Sequence, residues 1–227
     1  MRRQLPIIVL LLAATLGPVT ARGGDPGEIV APFLRARDAG AMGEIRCQAW
    51  AEPARPGGPP APDRSVSVML LPYSAELEAQ LDAVKSGQRD SLKDFADAAS
   101  RIDAARVNYE SALRFAGGGE LIRGDVTDDQ GRIRLTGLPA GDWLLLAWKD
   151  LGRSAKRYRL QRGETRKYPD VPTSVDYSMV AYWRLRVTVR AKEASEATLT
   201  DRNVWVTALK EERRFPDQTA PTGPQRR

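Results

Sequence analysis

The clearest strand in this chain lies between residues 178 and 190, where apolar and polar residues alternate from Trp183 to Arg190. A period of two predicts a strand with one face buried and the other exposed. The apolar positions are Trp183, Leu185, Val187 and Val189, and the polar positions are Arg184, Arg186, Thr188 and Arg190. One face of this strand is therefore predicted to lie in a core and the other to carry a row of arginines.

The segment from Gly124 to Lys149 predicts a compact β-module. Residues 128–131 (DDQG) are typical of a tight turn, and the polar and apolar residues of 132–135 alternate beyond it. From Trp143 to Trp148 the chain is an unbroken apolar run. A strand without polar positions is expected to be covered on both faces.

A helical hairpin is predicted over residues 74–116. Ser74 and Ser91 suit the caps of two helices, and the three glycines after Ala116 suit the end of the second one. Apolar residues recur at helical spacing, for example at Leu77, Leu81 and Val84. This apolar stripe needs a partner, and the second face of the 143–148 strand is the expected one.

The other segments are assigned from the same signals. Further strands are predicted at residues 43–51, 65–71, 155–160 and 203–209, with a Pro/Gly-rich loop at 52–63 and a polar connection at 191–201. Residues 22–41 are expected to be a lead-in with a short helix around 28–37. The sequence predicts one β-sandwich domain over residues 42–209, interrupted by the hairpin, and a disordered tail over 210–227.

The stretch from Thr127 to Ala147, TDDQGRIRLTGLPAGDWLLLA, resembles the pattern of carboxypeptidase regulatory-like domains. The resemblance implies a mainly β fold: a Greek-key, transthyretin-like β-sandwich of about seven strands, grouped with carbohydrate-binding-like folds. It also implies an accessory module without the zinc chemistry of the peptidase. The Pro-rich loop before the second strand and the inserted hairpin depart from the family pattern.

The N-terminus has the features of a secretory signal peptide. A basic start precedes an apolar run from Leu5 to Leu16, and Val19 and Ala21 suit the positions before a cleavage site. Cleavage is expected after Ala21, and an uncleaved membrane anchor is the alternative. No later segment is apolar enough for a membrane span, so the mature chain is expected in the bacterial periplasm or outside the cell.

Composition removes several classes of activity. The chain contains no histidine, which excludes histidine-based triads and histidine-ligated metal sites. The formal charge of +6 is mild and gives no sign of nucleic-acid binding. Cys47 is the single cysteine; it shares a predicted strand face with Ile45 and Ala49, which favours a buried core residue over a reactive thiol.

The acidic residues Asp125, Asp128 and Asp129 cluster around the predicted turn. Turn formation explains them, and a calcium site is the alternative, although the spacing differs from that of an EF-hand loop. A carboxylate-based hydrolase is the function least favoured. No cofactor and no metal are expected.

Two sets of side chains are candidates for binding a partner. Arg184, Arg186 and Arg190, extended by Arg157 and Arg159, could bind an acidic partner or could form a solvated strand face. Alternation places Trp50 on the strand face opposite Cys47 and Trp205 on the face opposite Val204 and Val206. Both tryptophans could therefore stack on sugars or anchor a protein, or could pack under the hairpin or a loop.

The sequence therefore predicts a non-catalytic, exported binding or structural module. Recognition of a cell-envelope protein through the hairpin or the arginine row is the leading hypothesis. Carbohydrate binding through exposed tryptophans is the alternative.

Overall fold

The computed structural model describes residues 25–53, 57–88, 90–159 and 174–214. The predicted signal peptide lies outside these ranges. The helices are α1 (Pro26–Asp38), α2 (Ala75–Gly87) and α3 (Leu92–Phe115). The strands are β1 (Met42–Ala51), β2 (Ala61–Pro62), β3 (Ser67–Pro72), β4 (Arg123–Val126), β5 (Arg132–Pro139), β6 (Gly141–Arg159), β7 (Ser174–Val189), β8 (Ala194–Thr200) and β9 (Val206–Arg214).

The strands form two sheets that enclose one core. In sheet A, β1 pairs with β2 and β5 in antiparallel fashion and with β8 in parallel. Sheet B is antiparallel, in the order β4-β3-β6-β7-β9. Inward-facing residues of both sheets, such as Ile45 and Leu145, are fully buried. The predicted mainly β sandwich is confirmed, with nine described strands instead of about seven.

Sheet B is covered on both faces. On its inner face Trp143, Leu145 and Ala147 lie in the core between the sheets, and on its outer face Leu144 and Leu146 are also buried. The helical hairpin α2–α3 packs over this outer face, and α3 also lies along β9. This cover explains why the 143–148 run has no polar positions.

The hairpin is attached to sheet B by polar contacts as well as by its apolar stripe. The Tyr109 hydroxyl donates a hydrogen bond to the Pro72 carbonyl oxygen at 2.9 Å. The Arg106 guanidinium lies 5.3 Å from the ring centroid of Trp148. Both predicted caps are present, since Ser74 Oγ accepts from the Leu77 amide and Ser91 Oγ accepts from the Asp94 amide.

Helix α1 closes one end of the sandwich. Val30 and Phe33 are buried, and the Phe33 ring meets Trp143 edge-to-face with 4.8 Å between centroids. The Phe33 ring also lies against the backbone of Gly141, where an added Cβ would come within 2.7 Å of the ring atom Cε1. The expected lead-in therefore contributes a helix to the core.

Four strands differ from the sequence-based expectations. The expected Pro/Gly-rich loop at 52–63 contains the short strand β2, which pairs with the end of β1. The expected polar connection at 191–201 contains β8, in which only Ala197 and Leu199 are buried. The strands expected at 143–148 and 155–160 are one continuous strand, β6, with register shifts near Asp150 and Ser154 in its pairing to β7. Strand β9 begins at Val206 and extends to Arg214, whereas the last strand was expected at residues 203–209. Backbone pairing to neighbouring strands explains these differences, because such pairing does not require an alternating pattern.

Candidate functional site

The acidic residues around the turn support its backbone. Asp128 Oδ1 accepts hydrogen bonds from the amides of Gln130 and Arg132, both at 2.8 Å. Asp125 Oδ1 accepts from the Val126 amide at 2.8 Å. These bonds are those of a turn. Across the described ranges, no three His, Cys, Asp or Glu side chains are placed to hold a metal ion together.

The neighbouring motif residues are also structural. The Thr127 hydroxyl accepts a hydrogen bond from the Val66 amide and donates one to the Asp63 carbonyl oxygen, both at 2.9 Å. Gly131 has a φ of +69°, and a Cβ there would lie 2.5 Å from the Ala49 carbonyl oxygen. A residue with a side chain is excluded from this position, so the glycine of the motif is required by the fold.

Cys47 lies in the core, with 2% of its surface exposed. Burial raises the pKa of its thiol to about 12, so the reactive thiolate is essentially absent near neutral pH. This environment is that of a small apolar core residue.

Arg184 lies under the hairpin and ties α2 to sheet B. Its guanidinium pairs with Asp82 at 2.9 Å and donates a hydrogen bond to the Glu78 carbonyl oxygen at 3.3 Å. It also lies 4.7 Å from the ring centroid of Trp205. Only 14% of the side chain is exposed, so its charge interacts with groups of the protein itself and is largely inaccessible to a partner.

Arg186 is more exposed but is also engaged. It pairs with Asp142 at 2.6 Å and stacks on Tyr73, with 4.0 Å between guanidinium carbon and ring centroid. Hydrogen bonds from Thr188 and then from Arg186 lower the pKa of Asp142, and the bond to Asp142 raises the pKa of Arg186. The pair remains ionised across the ordinary pH range.

Arg190 stands apart from the other two arginines. It follows the last residue of β7, is 74% exposed and lies 3.5 Å from Glu193. The structure thus places Arg184 and Arg186 on the hairpin side of sheet B and Arg190 at the end of the strand. The side chains of Arg157 and Arg159 lie outside the described part of the protein.

The two candidate tryptophans lie in different environments. Trp205 packs against the core below α2, and Lys85 Nζ lies 5.6 Å from its ring centroid. Its indole Nε1 is buried and has no hydrogen-bond partner among the described residues. Trp205 therefore packs under the hairpin and is not free to stack on a ligand.

Trp50 lies on the outer face of sheet A and is half-buried in a cleft of about 410 Å³. Pro60 and Thr200 line the cleft, and an ion pair between Glu52 and Arg202 at 3.1 Å lies at its side. No local pattern predicts Thr200 as a neighbour of Trp50, because it reaches Trp50 only through the parallel pairing of β8 with β1.

A second group of side chains on this face was also missed by sequence reasoning. Glu44 pairs with Arg46 and with Arg134, both at 2.6 Å. The hydrogen bond from Arg134 is the main cause that lowers the pKa of Glu44. Gln48 and Arg132 lie beside this group, since they oppose each other across β1 and β5. The residues come from two distant segments, so no local pattern links them.

No protein-family model matches the chain, and no curated protein matches it. Among solved structures, it is similar to a putative carbohydrate-binding protein from Pseudomonas aeruginosa, with 16% identity and a TM-score of 0.37, over 70% of this chain and 88% of the other. It is also similar to the minor pilin of Streptococcus agalactiae, with 12% identity and a TM-score of 0.30, over 80% of this chain and 48% of the pilin.

A third similar structure is the pilus backbone of Streptococcus pneumoniae, with 15% identity and a TM-score of 0.24, over 51% of this chain and 32% of the other. The chain thus spans about half of one pilin and a third of the other. Similarity at this level carries no information on ligand or activity. Within the described ranges, no helix has the length and apolar character needed to cross a membrane.

Proposed function

We propose that this chain is a non-catalytic binding module whose ligand is a carbohydrate, held in the Trp50 cleft. The observation that carries the proposal is the half-buried indole of Trp50 on the outer face of sheet A, where neither α2 nor α3 packs in the described residues. An aromatic ring with polar groups at its side is suited to a ligand with both an apolar face and hydroxyl groups.

The polar groups beside Trp50 complete the site. The Glu52 carboxylate accepts sugar hydroxyls, and the Arg202 guanidinium donates to sugar oxygens. Their ion pair at 3.1 Å places the two groups side by side at the edge of the cleft. A cleft of about 410 Å³ falls within the ordinary size range of small-ligand sites.

The module is proposed to act outside the cytoplasm, in the periplasm or at the cell surface, after removal of the N-terminal signal. The resemblance of residues 127–147 to carboxypeptidase regulatory-like domains supports an accessory role beside a separate catalytic protein. Support for a non-catalytic role also comes from the structural use of the turn aspartates.

Trp50→Ala is expected to weaken glycan binding by about tenfold or more, since an aromatic contact contributes about 0.5–1.5 kcal/mol beyond the area it buries. Trp50→Phe is expected to retain part of the affinity because a ring remains. A glycan array identifies the ligand, and isothermal titration calorimetry then measures the dissociation constants.

Arg186→Gln is the control for this experiment, because Arg186 is half-exposed and lies on sheet B, on the side covered by the hairpin. Equal affinities of the Trp50→Ala protein and the wild type would rule out the cleft. An array without any bound glycan would rule out the proposed function itself.

A protein partner bound by the hairpin is the second candidate function. Phe115 at the end of α3 is 93% exposed, and Val107 lies two turns earlier on the same helix with 47% exposed. Large exposed apolar side chains of this kind are used to anchor protein partners.

Phe115→Ser is expected to abolish binding of such a partner while leaving glycan binding unchanged. Cross-linking in the intact cell envelope, followed by mass spectrometry, compares this variant with Trp50→Ala. If both variants capture the same proteins as the wild type, the exposed phenylalanine is not a contact.

A further inference from the structure

We infer that the ligand is an extended, uncharged glycan that lies along β1, from Trp50 to Glu44, across the outer face of sheet A. This inference rests on the proposed carbohydrate site and specifies its ligand. It begins from the alternation of β1, which places Trp50, Gln48, Arg46 and Glu44 on one face. At strand spacing these four positions span about 20 Å, longer than a single sugar unit.

Three depressions lie along this face. The first is the Trp50 cleft of about 410 Å³. The second, of about 540 Å³, is lined by residues that include Gln48, Arg132 and Arg134. The third, of about 310 Å³, includes Glu44 and shares Arg46 with the second. Their order along one strand gives a row of sites for successive units of one chain.

The face is open because the hairpin covers the other sheet. Arg46 is 53% exposed and Arg134 is 64% exposed. Neither α2 nor α3 packs on sheet A within the described structure. A long ligand can therefore reach the row without displacing α2 or α3.

The hydrogen-bond donors on this face are held in place before binding. Glu44 uses its two carboxylate oxygens to fix Arg46 and Arg134, each at 2.6 Å. A guanidinium has five N–H donors, so each arginine keeps donors for a ligand. Fixing the side chains in advance reduces the entropy lost on binding.

The charges on this face indicate a neutral ligand. Carboxylates of Glu44, Asp128 and Glu196 lie among the arginines, so the opposite charges nearly balance. A strongly anionic glycan would meet these carboxylates, whereas hydroxyl groups can bond to both guanidinium and carboxylate groups. The face therefore suits a hydroxyl-rich, uncharged chain.

The test measures affinity against ligand length. The probes are β-1,4-linked glucose and N-acetylglucosamine oligomers of one to six units, together with a length series of any glycan that an array selects. For the wild type, the dissociation constant is expected to fall with each added unit until the row is filled. The double variant Arg46→Gln/Arg134→Gln is expected to bind the longest oligomer about tenfold more weakly and the shortest oligomers normally.

Arg186→Gln is the matched control, because Arg186 has a similar exposure and a similar ion pair on sheet B. Urea unfolding of each variant verifies that it is folded. The extended site would be ruled out if affinity were independent of oligomer length, or if the double variant lost affinity equally for short and long oligomers. Either result would still be compatible with binding in the Trp50 cleft. Absence of binding by the wild type to every glycan would instead remove the proposed function.

Discussion

Arg184→Glu is expected to lower the free energy of unfolding by about 3 kcal/mol and to loosen the hairpin from sheet B. In the native protein Arg184 is mostly buried and pairs with Asp82 at 2.9 Å. The substitution places a carboxylate where a guanidinium was, close to Asp82 and Glu78. It also removes the cation from the face of Trp205.

Urea unfolding measures the stability, and hydrogen exchange of the α2 amides reports on the hairpin. Arg184→Met separates charge from packing, because it retains an apolar stem over Trp205, and a smaller loss is expected. Arg190→Glu is the surface control, with an expected change within about 0.5 kcal/mol. If Arg184→Glu and Arg190→Glu have the same free energy of unfolding, the contact of Arg184 with α2 contributes little to stability.

This result bears on any use of Arg184 as a probe of partner binding. If Arg184→Glu weakened binding of a partner, the cause could be displacement of the hairpin as well as loss of a direct contact with the partner. Arg190 is the one of the three arginines whose charge can be reversed with little structural effect, since it is 74% exposed.

Gly43→Ala is the second substitution with a large expected effect, a loss of about 3 kcal/mol of unfolding free energy. A Cβ at this position would lie 2.3 Å from the Arg190 carbonyl oxygen and 3.0 Å from that of Glu193. These two contacts are to backbone atoms, which cannot rotate away as a side chain can, and a third contact, at 2.8 Å, is to Val189 Cγ1.

The backbone near Gly43 also has little freedom to shift. The Lys192 amide donates to the Met42 carbonyl oxygen at 2.6 Å, and the Glu44 amide donates to Glu193 at 3.1 Å. These bonds hold the turn between β7 and β8 against β1. Relief of the clash requires that one of them break, which adds to the loss.

Thermal and urea unfolding compare Gly43→Ala with Gly27→Ala. A Cβ at Gly27 has only ordinary contacts, the nearest at 3.5 Å from Asp25 Oδ1. Since Gly27 lies in the first turn of α1, alanine there is expected to be neutral or slightly stabilising. Equal stabilities of the two variants would show that the turn adapts to the added methyl group.

The elements that the sequence predicted well are those with a strong local pattern. Ser74 and Ser91 marked both helix starts, and the Trp143–Trp148 run predicted a strand covered on both faces. Strand β8 was missed because its residues are mostly polar and only Ala197 and Leu199 reach the core. Its pairing with β1 depends on a partner far away in the chain, which no local window contains.

The residues of the candidate site also fall into those that a local pattern predicted and those that it did not. Alternation alone indicated that Trp50 faces away from Cys47, and the structure places it on the outer face of sheet A. Trp205 likewise alternates with Val204 and Val206, which predicts that it faces away from the core. In the structure the hairpin nevertheless covers it. The distinction between the two depends on where a separate element packs. Arg202 beside Trp50, and Arg134 beside Glu44, depend likewise on strand order.

The parallel pairing of β1 with β8 has a consequence for the order of folding. Trp50 is aligned with Thr200, so one edge of β1 stays unpaired until almost the whole described chain has been synthesised. Contacts between such distant segments slow folding, because a long loop must close before they form. The emerging chain therefore remains without its complete sheet A for most of synthesis.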